Sequence, residues 1–505
     1  MRRLFANKYL VAVLVVVAVA AIFGLASTGH PSAVAAGARS QAPARAGVSS
    51  ALRACPGPGS TGATASGLTL AAASSGSGRV AVSRLSPLGS TSALAPLRVL
   101  SQPGRLSLVN VGAAPAVSRG QTQQASAAAT NAVPTSPERG GVMIQATGAM
   151  ARGLEADQAS SGGLGAAECL GPGTDFWFVG PGQRSAANIS LYLMNTDGQA
   201  ADASVQILTD SGPILGTTDA GIAVPPHGLV VQSLGKLTGG SRVIALNVTT
   251  SVGRVVPAVR ETTQNSEPGA WLPAALPPAT SQMLPGLPGT PGGRNLYVAV
   301  PGATNASIKV TAVTARGSYQ PTGGSGIDLP GGSAIEVSLP SMGGIPAAIQ
   351  ISSNVPVTAS MGASGGPNGA PGVFTAASAP VQEQGVVAGN PANSGGSTQL
   401  VLSAPQAAAQ VRVTELTSAG QASAAPRTVP IAGGHTVTVT VPAPRTGGKS
   451  SAFAVIITPL SGSGPVYAGR VVSQNDSVIS LLPVSSALTW VPLPAVRSSV
   501  TTALP

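Results

Sequence analysis

Catalysis or metal binding in this chain would fall to three histidines, two cysteines and sixteen acidic residues spread over 505 positions. His30 stands alone near the N-terminus. His227 and His435 occupy matching turns, VPPHGL and IAGGHT, where a related stretch reads LPGGSA around Ser333. One histidine per turn supplies too few donors for a zinc site. A Gly-x-Ser-x-Gly string occurs at Gly362-Ala363-Ser364-Gly365-Gly366, with Glu383 or Glu415 and then His435 downstream in hydrolase order. A nucleophile elbow runs straight into a helix, but here Pro367, Gly369 and Pro371 follow. Gly447-Gly448-Lys449-Ser450 copies the end of a phosphate-binding loop, yet Ala443 replaces the first glycine and no strand-to-helix turn follows. Asn195, Asp197 and Asp202 lack the closing glutamate of a calcium loop and read as a hairpin turn. Glu155 and Asp157 share a strand face, but nothing around them suggests the polarising pocket that acid–base work requires. The chain therefore reads as non-enzymatic, with no metal and no cofactor.

Two other groups of residues could matter. Cys55 and Cys169 flank one stretch of chain, and in an exported protein they most economically form a disulfide. Closing a loop of that length stabilises by about 4 to 5 kcal/mol in the chain-entropy model. The densest aromatic cluster is Phe176-Trp177-Phe178, with Trp177 on the face opposite the two phenylalanines. Tyr192 and Tyr297 are repeat-equivalent, each opposite core-facing neighbours such as Leu191 and Leu193. Trp177, Tyr192 and Tyr297 therefore have two readings: packing between modules, or an exposed row of aromatics for a sugar ring.

The elements that would position these residues are strands. LYLMNTDGQAADASVQILTDSG from Leu191 is echoed by LYVAVPGATNASIKVTAVTARG and again by LVLSAPQAAAQVRVTELTSAG. Ala203, Ala306 and Ala409 mark a spacing of 103 residues both times. Ile144, Leu246, Ile349 and Val455 in the later strands step by 102, 103 and 106, which adds a degenerate copy at the front. A period this long belongs to whole domains, because a propeller blade needs only about 40 to 50 residues. Short alternating Val, Ile and Thr runs separated by Gly, Pro, Asn and Asp turns predict antiparallel sheets with one buried face. The 65 glycines and 44 prolines leave little room for long helices.

The fold class expected is all-β, with tandem immunoglobulin-like antiparallel β-sandwich modules set in a row after one N-terminal transmembrane helix. The boundaries are a basic stub at 1–8, a membrane or signal segment at 9–26, a flexible linker at 27–51 and a degenerate disulfide-bonded module at 52–170. Regular modules follow at 171–268, 269–380 (with its connector) and 381–485, then a connector-like tail at 486–505. Proline-rich connectors, which cannot donate to a ladder, should be linkers or edge strands.

Tyr9 to Ala26 is an uncharged apolar run of 18 residues. It is long enough to cross a bilayer as a helix, for which about 17 to 25 residues suffice. Arg2, Arg3 and Lys8 ahead of it hold the N-terminus in the cytoplasm and put the rest outside. Ala33-Val34-Ala35 leaves open the alternative, secretion after cleavage near Ala35. The net charge of +11 comes from arginines scattered singly, with no basic patch interleaved with stacking aromatics, which excludes a nucleic-acid partner. The expected partners are the membrane through the N-terminal helix, and wall polymer or other envelope proteins.

CPGPG at Cys55, the segment ATGAMARGLEAD, the Glu168-Cys169…PGTDFWFVG block and the connector WLPAALPPA with its PGLPG turn resemble an actinobacterial family of exported or membrane-anchored proteins, known only as a domain of unknown function. The likeness runs from Leu52 to Pro494. It implies an envelope location, and it carries over no catalytic residues. Where that family often has two adjacent tryptophans, this chain has Phe176-Trp177.

Overall fold

Alternating Val, Ile and Thr residues build antiparallel strands throughout a computed structural model of the chain. It describes residues 13–21, 45–57, 66–85, 96–103, 141–160, 166–184, 188–214, 221–263, 266–290, 292–339, 344–363, 372–392, 395–417, 420–444, 452–475 and 477–493. The strands between Gly47 and Trp490 form one compact unit, in which the sheets fall into four successive groups. In the first, Ser50–Cys55, Gly141–Gly148, Ser77–Leu85 and Pro96–Pro103 make one sheet, and Ser66–Ala71, Glu155–Ser160 and Ala166–Glu168 the other. In the second, Asn188–Met194 and Val256–Thr263 are central to one sheet, and Ala201–Thr209 and Val243–Val252 to the other. The third turns on Ala347–Ala363, a strand of 17 residues. Its first half pairs with Ala279–Leu287 and Ala306–Thr314, its second with Arg294–Val300 and Val373–Ala376. The fourth pairs Ala452–Pro459 with Ala409–Leu416, and Gly396–Ala404 with Tyr467–Gln474.

Each group closes around its own apolar interior. In the second, Leu191, Leu193 and Val259 of one sheet meet Ala203, Val205, Ile207 and Leu246 of the other. Ile144, Leu246, Ile349 and Val455 are all fully buried, each on a central strand of its group. The sulfur atoms of Cys55 and Cys169 form a disulfide across 114 residues, and it ties the two sheets of the first group together.

The modules do not stand in a row. On several of these sheets the opposite face is apolar too, and a neighbouring module covers it, while strands such as Ala306–Thr314 and Ala409–Leu416 keep an exposed polar face. Tyr192, Met194 and Trp271 of the second module pack on Ala54, Leu85 and Met143 of the first. Tyr297, Ala334 and Phe374 of the third join the core of the second, while Val401, Val471 and Leu481 of the fourth join that of the third. Ala71 and Ala73 of the first then meet Val386, Leu416 and Ile456 of the fourth, and the cycle closes. A sheet covered on both faces has little solvated surface for ionic side chains. That contributes to a chain only 9% charged.

Glycine permits the closest of these approaches. Gly286, in the PGLPG turn at φ 88°, lies with its Cα against Gly469 of the fourth module, where a Cβ on either residue would strike the other backbone. The WLPAALPPA connector is pinned by Ala275 N donating to Trp177 O at 2.8 Å and Leu276 N to Ala377 O at 3.1 Å. In CPGPG, Gly57 sits at φ 78°, and its N–H and carbonyl are clamped by the Gln158 amide at 3.0 and 2.7 Å.

Of the expected membrane segment, residues 13–21 form a helix whose every residue is exposed, and the remainder lies outside the described residues. No described helix is long and apolar enough to cross a membrane. His30, Ser364, Lys449 and Ser450 also lie outside the described residues.

Candidate functional site

The strand Glu155–Ser160 runs between two different surroundings. Leu154 and Ala156 point into the first module's core, so Glu155 and Asp157 alternate onto the outer face, which the fourth module covers. Ladder pairing sets Glu168 directly across from Asp157. Three carboxyls thus converge, and two arginines answer them. Arg53 Nη2 donates to Glu155 Oε1 at 3.1 Å. From the fourth module, Arg470 Nη1 donates to Asp157 Oδ2 at 2.7 Å and also to the Ala388 carbonyl. Arg470 is 2% exposed and stands between Leu400 and Leu482 in its sheet, a position that otherwise takes apolar residues.

Burial sets the electrostatics of this cluster. It raises Glu155 and Asp157 above the ordinary carboxyl range, against the pull of Arg53 on the first and Arg470 on the second. Glu168 is pushed up to about 8, first by burial, then by the charges of Glu155 and Asp157, with Arg53 and Arg470 opposing. Counting charges gives the same picture. Three carboxylates against two guanidiniums leave one negative charge in excess, and a proton on Glu168 removes it.

A polarising pocket of which the sequence carries no sign is therefore present, but it is small. The cavity among Glu155, Asp157, Glu168 and Arg470 measures about 20 Å³, as does a second one beside Glu168, Trp271 and Leu482. Each holds about one water molecule, whereas small-molecule pockets run to about 300 Å³ and more. This arrangement can hold and release a proton, but a substrate has no room.

The three aromatics considered for sugar contact are all buried. Trp177 is 6% exposed, Tyr192 4% and Tyr297 5%. Their alternation relative to Leu191, Leu193 and their equivalents is as expected, but the outer face is a seam between modules and not a surface. Tyr192 packs on Trp271 with ring centroids 5.3 Å apart, and Tyr297 on Phe374 at 6.4 Å. Asn195 makes a turn, its side-chain amide donating to Gln199 O and Val224 O, and Asp197 pairs with Arg254 at 2.8 Å. Among the described residues no acidic, histidine or cysteine group could hold a metal ion. Sequence reasoning missed Arg53, Glu168 and Arg470. One signal was available, an arginine two residues after core-facing Ala468 and so on the same strand face.

Comparison with known proteins adds a family. The model of a family of unknown function, DUF5719, matches residues 120–442, well over half of the chain. The chain belongs to that family. The match takes in Glu155, Asp157 and Glu168 of this DUF5719 protein, while Arg53 and Arg470 lie outside it. No curated protein matches. Among solved structures, a Streptomyces avermitilis α-L-rhamnosidase complexed with L-rhamnose is 10% identical, with 85% of this chain covered and a TM-score of 0.12. This chain spans 57% of the rhamnosidase's length, and a similarity so low carries no argument.

Proposed function

We propose that this protein is a non-enzymatic component of the cell envelope, a structural or partner-binding body of immunoglobulin-like modules held outside the membrane by one N-terminal helix. The carrying observation is the size of the cavity: where Glu155, Asp157, Glu168 and Arg470 converge, the space they surround holds about one water. The helix at 13–21 supports the anchor, since Val13, Leu14, Val15, Val16, Val17 and Val19 are 56–66% exposed and it is apolar on all sides. Such a helix calls for an apolar environment around it. The partners proposed are the membrane, other envelope proteins and wall polymer.

The test is fractionation of cells producing the full chain or a form lacking residues 1–26. The full chain should stay with membranes through alkaline carbonate and be cut by protease added outside, while the shortened form should not sediment. A full chain found in the cytosol would end the proposal. Hydrolysis of envelope polysaccharide by the purified chain, lost in Glu168→Gln, would end its non-enzymatic part.

A further inference from the structure

The seams between successive modules are each spanned by the chain itself. The seam between the first and fourth modules is different: covalent continuity does not hold it, and it closes the cycle. It is also where the three carboxyls and two arginines meet, with Arg470 of the last module reaching Asp157 of the first at 2.7 Å. We propose that this seam is a proton-controlled clasp, closed while the five-group cluster keeps one proton among its three carboxyls and loosened when that proton leaves.

The geometry supports this at each step. Glu168 lies across the ladder from Asp157 and lines both small cavities, so a charge appearing on it is felt on the first module's face and beside Leu482 of the fourth. The charged groups around it are Glu155 and Asp157 on the neighbouring strand, Arg53 on Ser50–Cys55 and Arg470 on Tyr467–Gln474. The strands Ser477–Val484 and Gly385–Pro391, which also border the first cavity, bear no charged residue, while Val256–Thr263 beside the second brings Arg260, which lies over the Trp271 ring. Both guanidiniums are already engaged by Glu155 and Asp157. A third carboxylate would therefore have to share guanidiniums already paired with the other two, and a cavity with room for about one water hydrates it poorly. The remaining contacts across the seam are mostly small side chains, Ala71, Ala73, Val386 and Ala388 beside Leu416 and Ile456, with the backbone bonds of Val48 N to Thr489 O and Gly153 N to Leu488 O and Arg152 over the Trp490 ring. These small side chains offer less apolar area to offset the repulsion than the aromatic seams do.

Amide hydrogen exchange on the full chain at pH 6.5 and 9 tests the clasp, with protection in Ala347–Ala363 as the internal reference for the intrinsic rise in exchange rate. Exchange in Glu155–Ser160 and Gly385–Pro391 should rise about tenfold relative to that reference in the parent protein, and should stay flat in Glu168→Gln. Glu168→Ala serves the same purpose if the glutamine variant does not fold. A flat parent profile, or an equal rise when residue 168 no longer titrates, overturns the proposal.

Discussion

Arg470 Nη1 and Asp157 Oδ2 are 2.7 Å apart although 313 residues of chain separate them, and this contact ties the last module to the first. Both side chains are largely buried. Replacing Arg470 with alanine leaves Asp157 as an uncompensated buried carboxylate, for which the expected loss is about 3–5 kcal/mol. Replacing both, as Asp157→Leu with Arg470→Met, should recover most of it, because an apolar pair of similar volume needs no compensation. Urea midpoints of the two single variants and the double variant decide this. A double variant less stable than either single would contradict it.

The disulfide links Cys55, two residues after Arg53, to Cys169, immediately after Glu168. It therefore fixes the first module and the strand ends that carry two members of the cluster. Changing both cysteines to serine should cost about 4–5 kcal/mol in that module, by the chain-entropy relation for a loop of about this length. Limited proteolysis should show early cuts between residues 47 and 170, with the strands beyond Asp175 still protected. Uniform loss of protection along the chain would mean that the staple serves the whole cycle.

Glu261 gives a pH dependence that can be checked separately from the clasp. It lies between Ile189 and Ala270 in its sheet, is 5% exposed, and its Oε2 has no hydrogen-bond partner among the described residues. Burial pushes it up to about 8 from an ordinary 4.5. The folded state therefore binds this proton more tightly than the unfolded chain does. The stability it contributes is full below about pH 4.5 and is lost as pH rises to about 8. Melting temperature should fall across that window in the parent protein and fall less in Glu261→Gln. Glu168 titrates in the same range, so Glu168→Gln combined with Glu261→Gln should be flatter still. A Glu261→Gln profile parallel to the parent's would refute the assignment.

The all-β class was legible because side-chain alternation is a local property. Leu191, Tyr192 and Leu193 declare two faces whatever lies beyond them. What covers the second face is not local. Tyr192 meets Ala54 and Met143 of another module, so parity showed that it points outward but not that its surroundings are dry. The cluster was hidden for the same reason. Glu155 and Asp157 are visible as a pair on one face, but their burial depends on Arg470 and Val386, which fold against them from the far end of the chain. The proline-rich connectors hold edge strands: Ser266–Leu272, with Pro268 inside it, and Val373–Ala376 each pair on one side only.

The contact between Gly286 and Gly469 tests whether the third and fourth modules are one packed body. A methyl group at residue 469 would meet the Gly286 backbone, and backbone held in two sheets cannot swing aside as a flexible side chain can. Gly469→Ala should therefore part the seam and cost about 1–3 kcal/mol, the usual range for overpacking. Gly302→Ala, in a turn with nothing within 4 Å of the added carbon, is the matched control and should be close to neutral. Thermal unfolding gives the sizes, and the place is read from exchange at Ala279–Leu287 and Tyr467–Gln474. Equal effects from the two alanines would mean that the close approach contributes nothing, and the seam would then rest on Val401, Val471, Val478 and Leu481 and on hydrogen bonds such as Thr436 Oγ1 to Val313 O at 2.7 Å.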